Sequence, residues 1–363
     1  MSDSISLPGR GPGGPGGLRR KPVSVTQEAL VHAGRLGGSG GAPLLATPAA
    51  GRLRLAEWAA ASGRGWIEEQ LLREGAVLFR GFSVGELDEV EAFMRALTAD
   101  LLAYTYRSTP RTQVKGSVYT STEYPADQVI PMHNEMSYTR SWPMKIAFYC
   151  VQAAPRGGET PIADSRRVLA RLDPALVERF DRLGVMYVRN YTARLDLPWQ
   201  EVFQTGSRAE VEAFCARAGM SHEWVGDDHL RTWQVCQATA VHPRTGERMW
   251  FNQAHLFHVT SLPPALRDAL LAEYPEAELP RNTFYGDGSP IEPETLAAIR
   301  AAWEAESVRF PWEEGDVLLL DNMLFAHGRE AFEGPRRVVV VMGEAGGETH
   351  AASETPGAAA GAA

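Results

Sequence analysis

PWEEGDVLLLDNMLFAHGREAFEGPRRVVVVM, residues 311–342, contains two apolar runs, 316–321 and 337–342, with one histidine, His327, between them. Both runs are short and rich in Val and Leu, the composition of strands buried on both faces. Far upstream stands a second stretch that gives this one its meaning, His133-Asn134-Glu135. Two ligands two residues apart can address one ion where a strand ends and the chain curves. The third must come from elsewhere, and His327 supplies it. Two neutral imidazoles and one carboxylate suit Fe(II) and leave three coordination positions open. Those positions accommodate a bidentate 2-oxo acid and O₂. Arg337, ten residues past His327, offers a planar, permanently charged fork for the far carboxylate of that acid.

Outward from these stretches, apolar spacing predicts helices around 53–61 and 65–74, a strand at 76–82 and a helix over 87–97. A near-continuous apolar strand follows at 144–151, and Gly157-Gly158 marks a turn. Residues 168–183 read as two short helices divided at Asp173-Pro174, and 185–191 as a strand. A helix is expected at 210–218, strands at 233–241 and 248–251 around the Thr245-Gly246 turn, and amphipathic helices at 264–274 and 293–307. The ligand candidates sit mid-chain and near the end. A jelly-roll barrel, mostly β with flanking helices in an α+β arrangement, brings such distant strands together, and its mouth is a common ligand site.

Residues 1–42 are dominated by Gly, Pro, Ser and Arg, and 346–363 by Ala and Gly. Such segments bury too little to offset their ordering entropy, so both are expected to be disordered. That leaves one domain over 43–345. The glycines of 9–17 have no strand before them and no helix after them, which excludes a phosphate-binding loop. Of the 363 residues 44% are hydrophobic, and the net charge is −9, a balance that argues against nucleic-acid binding. Cys150, Cys215 and Cys236 lack metal or disulfide spacing and fit a reducing, cytoplasmic setting. No run is long and apolar enough to suggest a membrane span or signal peptide.

Several motifs in their order resemble the TauD/TfdA family of 2-oxoglutarate-dependent dioxygenases. They are HNEMSY (133–138), RGGETPIADSR (156–166), WFNQAHLFH (250–258), YGDGSPIE (285–292) and the 311–337 segment. The likeness spans roughly 75–343 and leans toward the SyrP-like and clavaminate-synthase-like branch. It implies a double-stranded β-helix (jelly-roll) core, with His133, Glu135 and His327 as iron ligands. It further implies that Thr160 contacts 2-oxoglutarate and that Arg337 grips its distal carboxylate, with Arg336 turned away by strand alternation. Lid elements are expected at about 192–258, carrying Trp199, Trp224, Trp233, Arg194 and Arg231. Arg140 and Asn252 are candidate substrate contacts.

The expected reaction, through Fe(II), 2-oxoglutarate and O₂, is hydroxylation of an unactivated C–H bond. The substrate is expected to be an amino acid, free or as an aminoacyl or peptidyl unit on a carrier protein. Aspartyl β-hydroxylation in natural-product biosynthesis is one version. Two departures from the taurine-cleaving pattern narrow the choice. Val341 stands four residues past Arg337, where sulfonate-cleaving members carry a substrate-binding arginine. Glu135 replaces the aspartate usual at that ligand position, and it fills the place that halogenases leave small. His255 and His258 are expected to pack, and His222, His229 and His242 to be structural or exposed. The rivals are desaturation, epoxidation or cyclisation by the same centre, or a non-catalytic jelly-roll binding module. A three-ligand zinc hydrolase has no use for Arg337. A homo-oligomer stays open.

Overall fold

Val317–Asp321 is paired on both sides, with Ala76–Phe79 and with Ser141–Gln152, which is why its sequence has no polar face. The computed structural model describes residues 30–36, 43–49, 51–102, 113–120, 124–192, 197–226 and 229–347. Within it, eight strands form one sheet in the order Val31–Arg35, Leu44–Pro48, Ala76–Phe79, Val317–Asp321, Ser141–Gln152, Arg337–Gly347, Val118–Thr120, Gln113–Lys115. All these pairings are antiparallel except that of Leu44–Pro48 with Ala76–Phe79.

Successive side chains leave opposite faces of this sheet. Val317, Leu319, Val339 and Val341 meet Ala147, Tyr149 and the helices Arg64–Glu74 and Leu87–Leu97 on one side. Leu318, Leu320, Val338, Val340 and Met342 join Ile146, Phe148, Cys150, Ile162 and Phe325 on the other. That second set fills the space beneath a smaller sheet in the order Ile130–His133, Phe325–Arg329, Ile162–Asp164. Two sheets enclosing one apolar interior make the double-stranded β-helix. Its seam includes Gly75 (φ +77°), where a Cβ would stand 2.5 Å from the Phe325 ring, so only glycine ends the helix Arg64–Glu74 at that point.

A third layer completes the molecule. The strands Ser221–Val225, His229–Cys236, Val185–Tyr191 and Arg281–Tyr285 form a separate antiparallel sheet. It shares a core with Ser165–Arg171, Pro174–Leu183 and Pro293–Glu306. Asp164 and Asp173 accept N–H bonds at the starts of the first two of these helices, and Pro174 opens the second.

Four boundaries differ from the sequence expectation. Val31–Arg35 is a strand paired with Leu44–Pro48, inside the stretch expected to be disordered; residues 1–29 and 37–42 lie outside the described residues. Arg337–Gly347 reaches past 345 because Gly346 and Gly347 still face Trp142 and Ser141, while 348–363 lie outside. Residues 192–258 do not stand apart as a lid. Their two longer strands are joined through Val185–Tyr191 to Arg281–Tyr285, so the layer continues well beyond 258. The run at 233–241 divides into His229–Cys236 and Thr239–Val241. No helix among the described residues is long and apolar enough to cross a membrane.

Leu319 is fully buried between the large sheet and its helices. Leu319→Ala is expected to cost about 2–5 kcal/mol of stability, read as a lower denaturant midpoint with an unchanged slope. A midpoint equal to wild type would remove this sheet face from the core.

Candidate metal centre

Cross-strand register brings the two histidines together. In the ladder between Phe325–Arg329 and Ile130–His133, His327 lies opposite His133, and on its other side it lies opposite Ile162. The imidazole centroids are 4.5 Å apart. Beyond His133 the chain turns at Asn134, and Glu135 places Oε2 3.8 Å from His327 Nε2. One ligand atom from each of His133, Glu135 and His327 lies within 4.8 Å of the others, a spacing able to hold a metal ion. His133 Nδ1 is 2.8 Å from the Pro131 carbonyl. A ring nitrogen facing a carbonyl carries the hydrogen, which leaves Nε2 as the lone-pair donor. Glu135 and His327 are buried, and the Phe148 ring stands 4.8 Å from that of His327. A carboxylate buried at such a spot is best balanced by a cation.

Thr160 is buried near this centre, and its Oγ1 accepts from Trp312 Nε1 at 3.1 Å. It precedes Ile162 by two residues, so it lies on the order of 7 Å along the chain from the position opposite His327. The arginine beside it is Arg336. Its Nε donates to the Gly158 carbonyl at 2.8 Å and Nη2 lies 3.5 Å from Thr160 Oγ1. Burial, reinforced by the charge of Arg329, lowers its guanidinium to about 10. Arg329 and Arg336 both lie against the Phe332 ring. Arg329 is held by the Tyr124, Pro125 and Gln128 carbonyls, and its charge beside the partly desolvated Arg336 favours an anion there.

Arg337, expected to grip 2-oxoglutarate, is exposed, and the arginine beside Thr160 is Arg336. Arg336 has the parity of Val338, Val340 and Met342, which face the barrel interior. A register shift between Arg337 and Val338, whose partners are Gln152 and Cys150, sits at the strand's mouth. Val341 likewise faces the helices, and Val340 is the inward residue four beyond Arg336.

Both substrate candidates have protein partners in the structure. Asn252 is fully buried and its amide is used locally: Nδ2 donates to the Ala238 carbonyl at 2.7 Å and Oδ1 accepts from Ala254 N–H at 3.0 Å. Arg140 directs Nε and Nη2 to the Val235 carbonyl, tying the metal-centre turn to the third layer. Trp199 and Trp224 pack edge to face at 5.2 Å, and Trp224 donates to Glu212. Arg194 lies outside the described residues.

Four of the other histidines have structural partners. His255 is buried, drops to about 3 through desolvation and pairs with the Met132 carbonyl. His258 drops to about 4 for the same leading reason, and its Nδ1 accepts from Thr260 N–H. His229 meets Asn190, and the buried His242 meets Asp321. Three side chains that spacing did not single out surround the ligand turn. Asn134, Asn322 and Gln253 each bond to its backbone or brace it. The only signal for them was the Asp321-Asn322 pair closing an apolar strand.

Comparison with known proteins agrees with this geometry. The sequence profile described as taurine catabolism dioxygenase TauD, TfdA family, matches residues 41–342. The dapdiamide synthesis protein DdaC of Enterobacter agglomerans is 46% identical over 276 residues, covering 76% of this chain and 84% of that protein. A clavaminate synthase-like protein of Arabidopsis thaliana is 33% identical over 292 residues, with the same two coverages, 76% and 84%. Among solved structures, PvcB from Pseudomonas aeruginosa superposes with a TM-score of 0.53 at 16% identity, covering 88% of this chain and 93% of that one. A second PvcB structure, described as an Fe, alpha-ketoglutarate dependent oxygenase from an isonitrile synthetic pathway, gives 0.52 at 17%, over 87% and 92%. At such identities the likeness is one of fold.

Asn252→Ala is expected to cost about 1–3 kcal/mol by leaving a buried N–H and C=O unpaired, with KM for every substrate unchanged. A raised KM at wild-type stability would return Asn252 to the substrate site.

Proposed function

The chain belongs to the TauD/TfdA family and is a non-haem iron, 2-oxoglutarate-dependent dioxygenase; from that premise we propose the following residue roles and substrate class. His133, Glu135 and His327 hold Fe(II). Arg336, with Thr160, holds the distal carboxylate of 2-oxoglutarate. The substrate is an amino acid, free or carried as an aminoacyl or peptidyl unit on a carrier protein, hydroxylated at an unactivated carbon in natural-product biosynthesis.

One observation carries the site assignment. The cation-seeking triad and the anion-seeking Arg336–Thr160 pair are linked through one strand pairing, since Thr160 stands two residues before Ile162, the partner of His327. When bound, Fe(II) with 2-oxoglutarate and O₂ supplies an oxidant strong enough for an aliphatic C–H bond, releasing succinate and CO₂. The chain's own groups do the placing. Pro131 fixes the His133 tautomer. Glu135 supplies the negative charge, and its full side chain occupies the space a halide ligand would need. Arg336 would hold the far carboxylate of the cosubstrate by charge and hydrogen bonding, and the Phe148 ring lies against that of His327. Val341, at the position four residues past Arg337 where sulfonate-cleaving members carry an arginine, is apolar and buried, which disfavours a sulfonate.

The amino-acid reading draws support from DdaC, whose name assigns it to dapdiamide synthesis. Aspartyl β-hydroxylation is one form of it. Desaturation, epoxidation and cyclisation use the same centre, and the product separates them: hydroxylation adds one oxygen to the substrate, whereas desaturation removes two hydrogens.

Anaerobic addition of Fe(II) and 2-oxoglutarate is expected to give a weak visible charge-transfer band, absent in His133→Ala. A well-folded wild type without the band points to the non-catalytic binding module instead. Arg336→Ala is expected to raise the 2-oxoglutarate concentration at half-saturation at least about tenfold, the loss of one bidentate charged pair. Arg337→Ala should match wild type, and the opposite pattern would hand the role back to Arg337.

A further inference from the structure

The turn that carries Glu135 is held in a conformation its residues do not favour. Met136, next in sequence, has φ +59°, a region that side-chain-bearing residues rarely adopt and that persists only where the surroundings enforce it. The enforcing group is Asn322. Its Oδ1 accepts the Glu135 N–H at 2.7 Å, and its Nδ2 donates to the Glu135 carbonyl at 2.9 Å and to the Pro143 carbonyl at 2.8 Å. The side-chain amide thus meets both polar groups of the Glu135 backbone, as a neighbouring strand would. Asn134 returns the contact, donating to the Asn322 carbonyl at 2.7 Å, while Gln253 donates to the Asn134 carbonyl at 2.8 Å. All four residues are buried.

Asn322 is itself fixed from behind. Its N–H donates to the Met144 carbonyl. The preceding Asp321 accepts from Met323 and Leu324 N–H through Oδ1. Through Oδ2 it accepts from His242 Nε2 at 3.0 Å. His242 Nδ1 already accepts from the Arg244 and Thr245 N–H groups, so its Nε2 carries the hydrogen. The amide cannot be replaced by a carboxylate of the same shape, because two of its three contacts are donations to carbonyl oxygens.

We propose that Asn322 is a positioning residue for the carboxylate of the metal centre, clamping the Glu135 backbone so that its side chain meets His133 and His327. The inference rests on the assignment of those three residues as metal ligands. Asn322 does not touch the ion, and it acts by removing freedom from a ligand that is attached to a strained turn. Ligand-orienting partners of this kind typically change metal affinity ten- to a hundredfold.

The test uses full-length, metal-free protein titrated with Mn(II) and followed by the loss of the free-ion EPR signal, alongside thermal unfolding without metal. Asn322→Ala and Asn322→Ser are compared with wild type and with Val339→Ala, which loosens the opposite face of the large sheet. Wild type and Val339→Ala are expected to bind Mn(II) alike, and the Asn322 variants at least about tenfold more weakly. If Asn322→Ala does not fold, the same comparison is made with Asn322→Ser. Wild-type affinity in a folded Asn322 variant overturns the inference while leaving the metal centre intact. Equal weakening in Val339→Ala overturns it in favour of general loosening. No Mn(II) binding by wild type itself removes both the ligand assignment and this inference.

Discussion

The register of Phe325–Arg329 between its two neighbours is the constraint on which the rest depends. Side chains alternate with a period of two, so a slip of one residue would turn His327 out of the barrel and face Ala326 to His133. The core prevents the slip. Phe325 fills the barrel with Ile162, while Ala326, Ala163 and Met132 face the helical layer. Gly328 allows the close approach, since a Cβ there would stand 2.7 Å from the Ile130 carbonyl. Packing chosen for volume and alternation therefore fixes the separation of two imidazoles as a by-product.

The same barrel interior is divided electrostatically. One end collects lone pairs and a buried carboxylate, and the other collects Arg336 and Arg329 against Phe332. Each end alone is costly to bury. On the proposed assignment, a metal ion at one end and a dicarboxylate at the other would offset both costs. The polar bracing behind the triad has a different character. Asn134, Asn322, Asp321 and His242 pair with one another and with backbone, a satisfied network that specifies geometry instead of binding anything.

Much of the fold was legible because its signals are local. The apolar runs at 76–79, 144–151 and 317–321 became strands of the large sheet, and Asp173-Pro174 divided two helices where its capping chemistry requires. Arg337 shows where legibility stops. Alternation was the right rule, but its phase was set by assuming which arginine faced inward. The phase is decided by Val338, Val340 and Met342 packing on Phe148 and Cys150, which no count along one strand reveals. Asn252 shows the same limit. An amide beside a motif suggests a ligand contact, yet this one serves the Ala238 carbonyl and the Ala254 N–H.

The sequence by itself determined the chemistry on offer: two imidazoles and a carboxylate, a threonine, a pair of arginines, and the barrel able to gather them. Residue type and spacing carry that information, since donor atoms and strand periodicity are properties of the chain. Tertiary structure alone decided which arginine lies beside Thr160, that the strands of 192–258 join a larger third layer, and that Asn322 bonds the Glu135 backbone. Each of these depends on contacts between segments far apart in the chain, and cross-strand register and burial are fixed only when the sheets close on one another.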